Sequence, residues 1–106
     1  MDEKAEIDRS VGLIVNHFSL LPTDLELQQQ TFGELEAKLT SIVSYLLDKD
    51  MERLLQSLYR IDVDETLFKK ILIEAAPEEI ANKIAQEVIR RELQKVRLRA
   101  KYKGLD

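Results

Sequence analysis

Three features of the sequence predict an all-α fold, a single compact bundle of four or five helices with a long C-terminal helix. The 106 residues include only three Gly and two Pro, so little interrupts regular structure. Apolar residues recur three and four positions apart along most of the chain, which is the spacing of one helix face. Thr, Asp and Pro residues precede several of these stretches, as they commonly do where helices begin. The length predicts a single helical domain over residues 1–106.

The first predicted helix covers about residues 4–21 and ends before Pro22, which has no amide hydrogen to donate. Its apolar stripe is formed by Ile7, Val11, Ile14, Phe18 and Leu21. Residues 23–30 are interpreted as a loop or a short turn of helix. A second helix is predicted to begin at Thr31 with a capping box, in which the Thr31 hydroxyl accepts the Glu34 N–H and the Glu34 carboxylate reaches back.

Residues 31–61 are predicted to form two helices, with a break at residues 48–50, rather than one bent helix. The reason is that the apolar stripe after the break is displaced by one position from the stripe before it. The first stripe comprises Phe32, Leu35, Leu39, Ile42 and Leu46, and the second comprises Met51, Leu54, Leu58 and Ile61. Asp62 is predicted to cap the next helix. The last helix is predicted to run from about residue 77 to 102 and to end near Gly104.

Charge is distributed very unevenly along the chain. Residues 1–89 carry nine Lys and Arg against eighteen Asp and Glu, whereas residues 90–103 carry seven cations against Glu92 alone. The formal net charge of −4 therefore combines an acidic body with a basic end of the last helix. Across 26 residues this helix would extend about 39 Å, whereas a globule of this size is roughly 33 Å across. Its last turns are expected to project or to lie along the acidic body.

This basic segment is the candidate interaction surface. Its narrow apolar stripe consists of Leu93, Val96 and Ala100, and its flanking cations are Arg90, Arg91, Lys95, Arg97, Arg99 and Lys101. One interpretation is a solvated helix whose charge the acidic body neutralises. A second is a contact with a partner protein or with a second copy in a homodimer. A third is binding to nucleic acid or a ribonucleoprotein, although the acidic pI near 5.1 is unlike that of a dedicated binder.

The residues that usually carry catalysis or bind metals are scarce. There is no Cys, and His17 is the only histidine, with the apolar Ile14 and Leu13 at the preceding helical positions. Asp62 and Asp64 imitate the start of a calcium loop, but Leu67 occupies the position that needs Gly. No glycine-rich phosphate loop is present. We therefore expect no enzymatic activity, no catalytic or metal-binding residue, no cofactor and no small-molecule substrate.

The sequence also predicts a cytoplasmic protein that does not bind membranes. No apolar run approaches the about 18–20 residues that span a bilayer. The acidic start, Met1-Asp2-Glu3, is unlike a signal peptide. The absence of Cys fits a reducing compartment.

Four stretches of the chain resemble a family of short, uncharacterised helical bacterial proteins. They are residues 45–55 (YLLDKDMERLL), residues 58–65 (LYRIDVDE), residues 84–95 and residues 99–102, within the last 65 or so residues. The resemblance implies a bacterial, cytoplasmic protein that stands alone, and it implies no ligand or site. The function predicted from the sequence is a small non-enzymatic interaction or adaptor domain that uses its C-terminal helix. Nucleic-acid association is the alternative.

Overall fold

A computed structural model describes residues 2–103, and this part of the chain is entirely helical, with no strand. It contains five α-helices and two short 3₁₀ helices. In chain order these are α1 (Glu3–His17), a 3₁₀ turn (Pro22–Leu25), α2 (Phe32–Lys49), α3 (Met51–Ile61), α4 (Glu65–Glu74), a second 3₁₀ turn (Pro77–Glu79) and α5 (Ile80–Lys103). The predicted all-α class with a long C-terminal helix is therefore confirmed. Gly104 lies outside the described residues.

The start of α2 confirms half of the predicted capping box. The Thr31 hydroxyl accepts the Glu34 N–H at 3.0 Å, as the sequence predicts. The Glu34 carboxylate, however, does not bind the Thr31 N–H. It accepts instead from the backbone N–H groups of three consecutive loop residues, Gln28, Gln29 and Gln30, at 2.7–3.1 Å. These bonds hold the loop that precedes α2 against its first turn.

Residues 31–61 form two helices, as predicted. A single residue, Asp50, joins them and has an extended-to-irregular backbone conformation with φ −155° and ψ 68°. Its side chain accepts the Arg53 N–H at 3.2 Å and so caps α3. One residue thus ends α2 and begins α3.

Two helix boundaries differ from the prediction. α1 ends at His17 rather than near residue 21, because Ser19 adopts the left-handed conformation with φ 54° and closes the helix. Asp62 is also left-handed, with φ 66°, and terminates α3 instead of capping α4. The residue that caps α4 is Asp64, whose carboxylate accepts the Thr66 N–H at 2.8 Å.

α5 is the central packing element of the fold. It packs most extensively against α2 and then against α1, and it also contacts α3 and α4. The core that these contacts enclose draws on every helix. Its fully buried side chains include Ile14, Phe18, Leu25, Leu35, Leu39, Val43, Leu46, Leu54, Ile61, Ile84, Ala85 and Val88. Two residues of the predicted stripes, Leu21 and Met51, are exposed instead.

Candidate interaction surface

The C-terminal half of α5 lies along the body of the protein rather than projecting from it. Glu6, near the start of α1, accepts a hydrogen bond of 2.7 Å from the guanidinium of Arg97. His17, at the end of α1, contacts Glu92. Early α1 therefore faces late α5, and the two helices run antiparallel. The hydrogen bond from Arg97 lowers the pKa of the Glu6 carboxyl below its ordinary value and raises that of Arg97.

Four of the six predicted surface cations are engaged in ion pairs within the protein. Besides the Arg97 pair, Arg90 binds Glu87 at 2.6 Å and Arg91 binds Asp62 at 3.2 Å. Lys95 approaches Glu92 at 3.4 Å. The remaining two, Arg99 and Lys101, make no ion pair among residues 2–103. The acidic body thus neutralises much of the basic segment, which is what the first interpretation of the sequence expected.

Two of these cations also donate hydrogen bonds to backbone carbonyl groups at the end of α3. Lys95 donates to the Ile61 carbonyl at 2.6 Å, and Arg91 donates to the Asp62 carbonyl at 3.1 Å. The last carbonyl groups of a helix have no partner within that helix, so cations placed there supply the missing hydrogen bonds. Arg91 and Lys95 are therefore tied to the packing of α5 on α3.

The predicted apolar stripe is largely occupied by the fold itself. Val96 is only 4% exposed, and Leu93 and Ala100 are partly buried. The inward face of α5 is displaced from the predicted stripe and passes through Val88, Glu92 and Val96. Val96 is therefore not available to a partner in the folded chain.

Glu92, the one acidic residue of the basic segment, is completely buried. Its Oε1 atom accepts from His17 at 2.9 Å and lies 3.4 Å from the Lys95 ammonium. The sequence did not reveal this cluster, because His17 and Glu92 are separated by 75 positions. The only available signal was a carboxylate placed on an apolar face. Since buried charges require partners, such a residue points to a cation nearby.

Among residues 2–103, no serine or threonine hydroxyl is hydrogen-bonded to the His17–Glu92 pair. Ser10 is buried, but within the described residues its hydroxyl has no hydrogen-bond partner, so it is not bonded to His17. The second oxygen of Glu92 is likewise without a partner there. Over residues 2–103, no group of three His, Asp or Glu side chains is arranged to hold a metal ion.

The outer face of α5 remains open. Leu98 and Tyr102, one helical turn apart, are 51% and 63% exposed. Along this face a shallow depression of about 620 Å³ is lined only by α5 side chains. They are Arg90, Arg91, Leu93, Gln94, Lys95, Arg97, Leu98 and Lys101. We call Leu98, Tyr102 and the adjoining Arg99 and Lys101 the α5 tip.

Comparisons with known proteins identify no family for this chain. No family model, curated protein or solved structure matches it. The resemblance to short bacterial proteins remains a prediction. Among the described helices, none is both long enough and apolar enough to cross a membrane.

Proposed function

We propose that this protein is a non-enzymatic interaction domain that binds a partner protein through the α5 tip. The observation that supports the proposal is the exposure of Leu98 and Tyr102 on the outer face of a helix whose opposite face packs on the body of the protein. Large apolar side chains surrounded by charged ones are typical of the centre and rim of a protein interface. A cytoplasmic location and the absence of a cofactor are part of the same proposal.

The proposed surface is smaller than the one predicted from the sequence. Leu93 and Ala100 lie at its edge, partly buried, whereas Val96 lies beneath it. Arg91 and Arg97 hold α5 to Asp62 and Glu6 through their ion pairs, and Lys95 donates to the Ile61 carbonyl. Arg90 pairs with Glu87 within α5 itself. The cations left to face a partner, Arg99 and Lys101, favour a partner with acidic groups beside an apolar patch.

Nucleic-acid binding has weaker support. Binding that depends on phosphate contacts requires several cations free to neutralise phosphates. Most of the predicted cations are already paired with carboxylates of the same chain. The tip also offers a single stacking aromatic ring, Tyr102.

Site-specific photo-crosslinking tests the proposal. A photoreactive amino acid replaces Leu98 in one variant and Ile73, which is 82% exposed on α4, in the matched control. Each variant is irradiated in the lysate of the cells that express it and as purified protein. We expect a discrete protein adduct from position 98 and none from position 73. Equal adducts from both positions, no protein adduct, or an adduct that nuclease removes would overturn the proposal.

A further inference from the structure

A second exposed apolar surface lies between α3 and α4, and it shares no residue with the α5 tip. We call it the α3–α4 groove. It has a volume of about 280 Å³ and is lined by Leu55, Leu58, Tyr59, Val63, Glu65 and Phe68. Tyr59 is 87% exposed and Leu55 is 46% exposed. These two side chains give the groove an apolar edge that is open to solvent.

The charges at the edge of this groove are opposite to those of the α5 tip. Asp64 and Glu65, at the start of α4, are exposed beside the groove. Glu65 contacts Lys69 at 3.3 Å, but both side chains are more than two-thirds accessible to water, so this pair exchanges readily. At the α5 tip, Arg99 and Lys101 have no ion-pair partner within the described residues. Each surface therefore combines exposed apolar side chains with charges, and the charges of the groove are opposite in sign to those of the tip.

The two surfaces lie on either side of one contact. Arg91 of α5 binds both the carbonyl and the carboxylate of Asp62, the residue that joins α3 to the start of α4. The groove extends from this point along α3 and α4. The tip begins two turns further along α5. A two-fold axis passing near Asp62 and Arg91 would bring the groove of each copy against the tip of the other.

We propose that the α3–α4 groove holds the α5 tip of a second copy of this chain, in a reciprocal two-fold dimer. The inference rests on the proposed function, since it names the partner that the tip binds. Leu98 and Tyr102 enter the groove beside Leu55 and Tyr59, while Arg99 and Lys101 face Asp64 and Glu65. An alternative dimer with α5 against α5 would place the cations of one tip against those of the other, which is unfavourable.

Light scattering and sedimentation of the full chain over a range of concentrations test this arrangement. Wild-type protein is expected to dimerise reversibly. Tyr59→Asp in the groove and Leu98→Asp in the tip should each weaken the dimer by at least about tenfold in Kd. Ile73→Asp, on an exposed residue outside both surfaces, should leave it unchanged. All three substituted side chains are exposed, and circular dichroism verifies that each variant is folded.

Mixing the two weakened variants separates this dimer from other arrangements. A heterodimer of Tyr59→Asp and Leu98→Asp chains retains one contact in which groove and tip are both wild type. It should therefore form more tightly than either variant associates with itself. Exchange of charges gives a second test: Glu65→Lys and Lys101→Glu should each weaken the dimer, and the double variant should recover it.

Three outcomes would overturn the inference. They are a wild-type monomer at every concentration, a dimer that Leu98→Asp disrupts but Tyr59→Asp does not, and a mixture no tighter than the single variants. If position 98 crosslinks to a different protein while the pure chain stays monomeric, the proposed function stands and the self-association fails. If position 98 crosslinks to no protein, both fail.

Discussion

At the scale of single residues, Glu92 is buried in the core, although its position among basic residues suggests an exposed side chain. In the sequence it is the single acidic residue in a basic segment. In the fold it is the buried acceptor that joins α1 and α5, through His17 at 2.9 Å and Lys95 at 3.4 Å. Removing the Glu92 side chain takes the shared acceptor from His17 and Lys95 and leaves a cavity at a fully buried position, and both effects destabilise the fold.

Glu92→Ala is therefore expected to lower the free energy of unfolding by about 3–5 kcal/mol. The control is Asp48→Ala, which removes the partner of Lys49 from a pair whose two side chains are both exposed, and it should cost no more than about 1 kcal/mol. Urea denaturation followed by circular dichroism measures both. Similar losses for the two variants would show that the buried cluster contributes no more than a surface pair.

Glu34 supplies a pH-dependent contribution to stability. The hydrogen bond from the Gln28 N–H, together with those from Gln29 and Gln30, lowers the pKa of this carboxyl below its ordinary value of 4.5. The unfolded chain therefore binds the proton more readily than the folded chain. The stabilisation is complete above the unfolded-state pKa, and it is lost as the pH falls through that value towards the lower folded-state pKa.

Glu34→Gln is expected to be less stable than wild type at neutral pH. The difference should narrow as the pH falls from neutral through the ordinary carboxyl pKa of 4.5 and below it, because the wild-type carboxyl is then progressively protonated. Glu78→Gln, at an exposed residue in the second 3₁₀ turn, provides the control. Unfolding midpoints at a series of pH values measure the effect. A constant difference between wild type and Glu34→Gln across this range would contradict the assignment.

The residue contacts divide clearly into those a sequence can predict and those it cannot. The bond between Thr31 and the Glu34 N–H follows from spacing alone, because three positions fix the geometry at a helix start. The predicted bond from the Thr31 N–H to the Glu34 carboxylate was wrong, because the path of the preceding loop places the N–H groups of residues 28–30 against that carboxylate instead. The contact of His17 with Glu92 depends on how α1 packs on α5, which no local pattern specifies.

At the scale of the helices, arginine and lysine side chains from other helices satisfy the ends of α1 and α3. Arg53 of α3 donates to the carbonyls of Phe18 and Ser19, at 2.8–3.2 Å. Lys95 and Arg91 of α5 do the same at the end of α3. The left-handed conformations of Ser19 and Asp62 at these two helix ends were not predicted, since a Gly would be expected there.

Arg53→Leu is expected to destabilise the protein by about 1.5–3 kcal/mol, because carbonyl groups at the end of α1 lose charged donors. Arg53→Lys should recover only part of this, since an ammonium cannot reproduce the forked geometry of a guanidinium. Arg60→Lys, which alters the weaker contacts to Ser19 and His17, is the comparison. Thermal unfolding ranks the three variants. If Arg53→Lys were as stable as wild type, the forked contact would be unnecessary.

At the scale of the whole molecule, the charge asymmetry of the sequence is largely an internal feature of the fold. The basic end of α5 was predicted from composition, and its placement along the acidic body was one of the two predicted alternatives. The displacement of its buried face from Leu93 to Glu92 was not predicted. Leucine on a helix is ordinarily assigned to the core and glutamate to the surface, and here the packing against α1 reverses that preference.

The α5 tip and the α3–α4 groove belong to this scale as well. Neither surface is evident from the sequence, because Tyr59 and Leu98 lie among other apolar residues that the fold does bury. Only the packing of the five helices shows that Tyr59 and Leu98 are exposed while the neighbouring apolar residues are buried. The proposed dimer therefore depends on the tertiary structure as much as on composition.

The single-residue link at Asp50 fixes the rotation of α3 about its own axis relative to α2. Each residue of a helix turns the next by about 100°. Because Asp50 alone separates α2 from α3, there is no loop whose conformation could change to accommodate an added or deleted residue. Deleting one residue at this link would rotate α3 as a unit by about 100°, so that Leu54 and Leu58 turn away from the core and Leu55 and Tyr59 take their places. The same composition would then present a different surface to every partner.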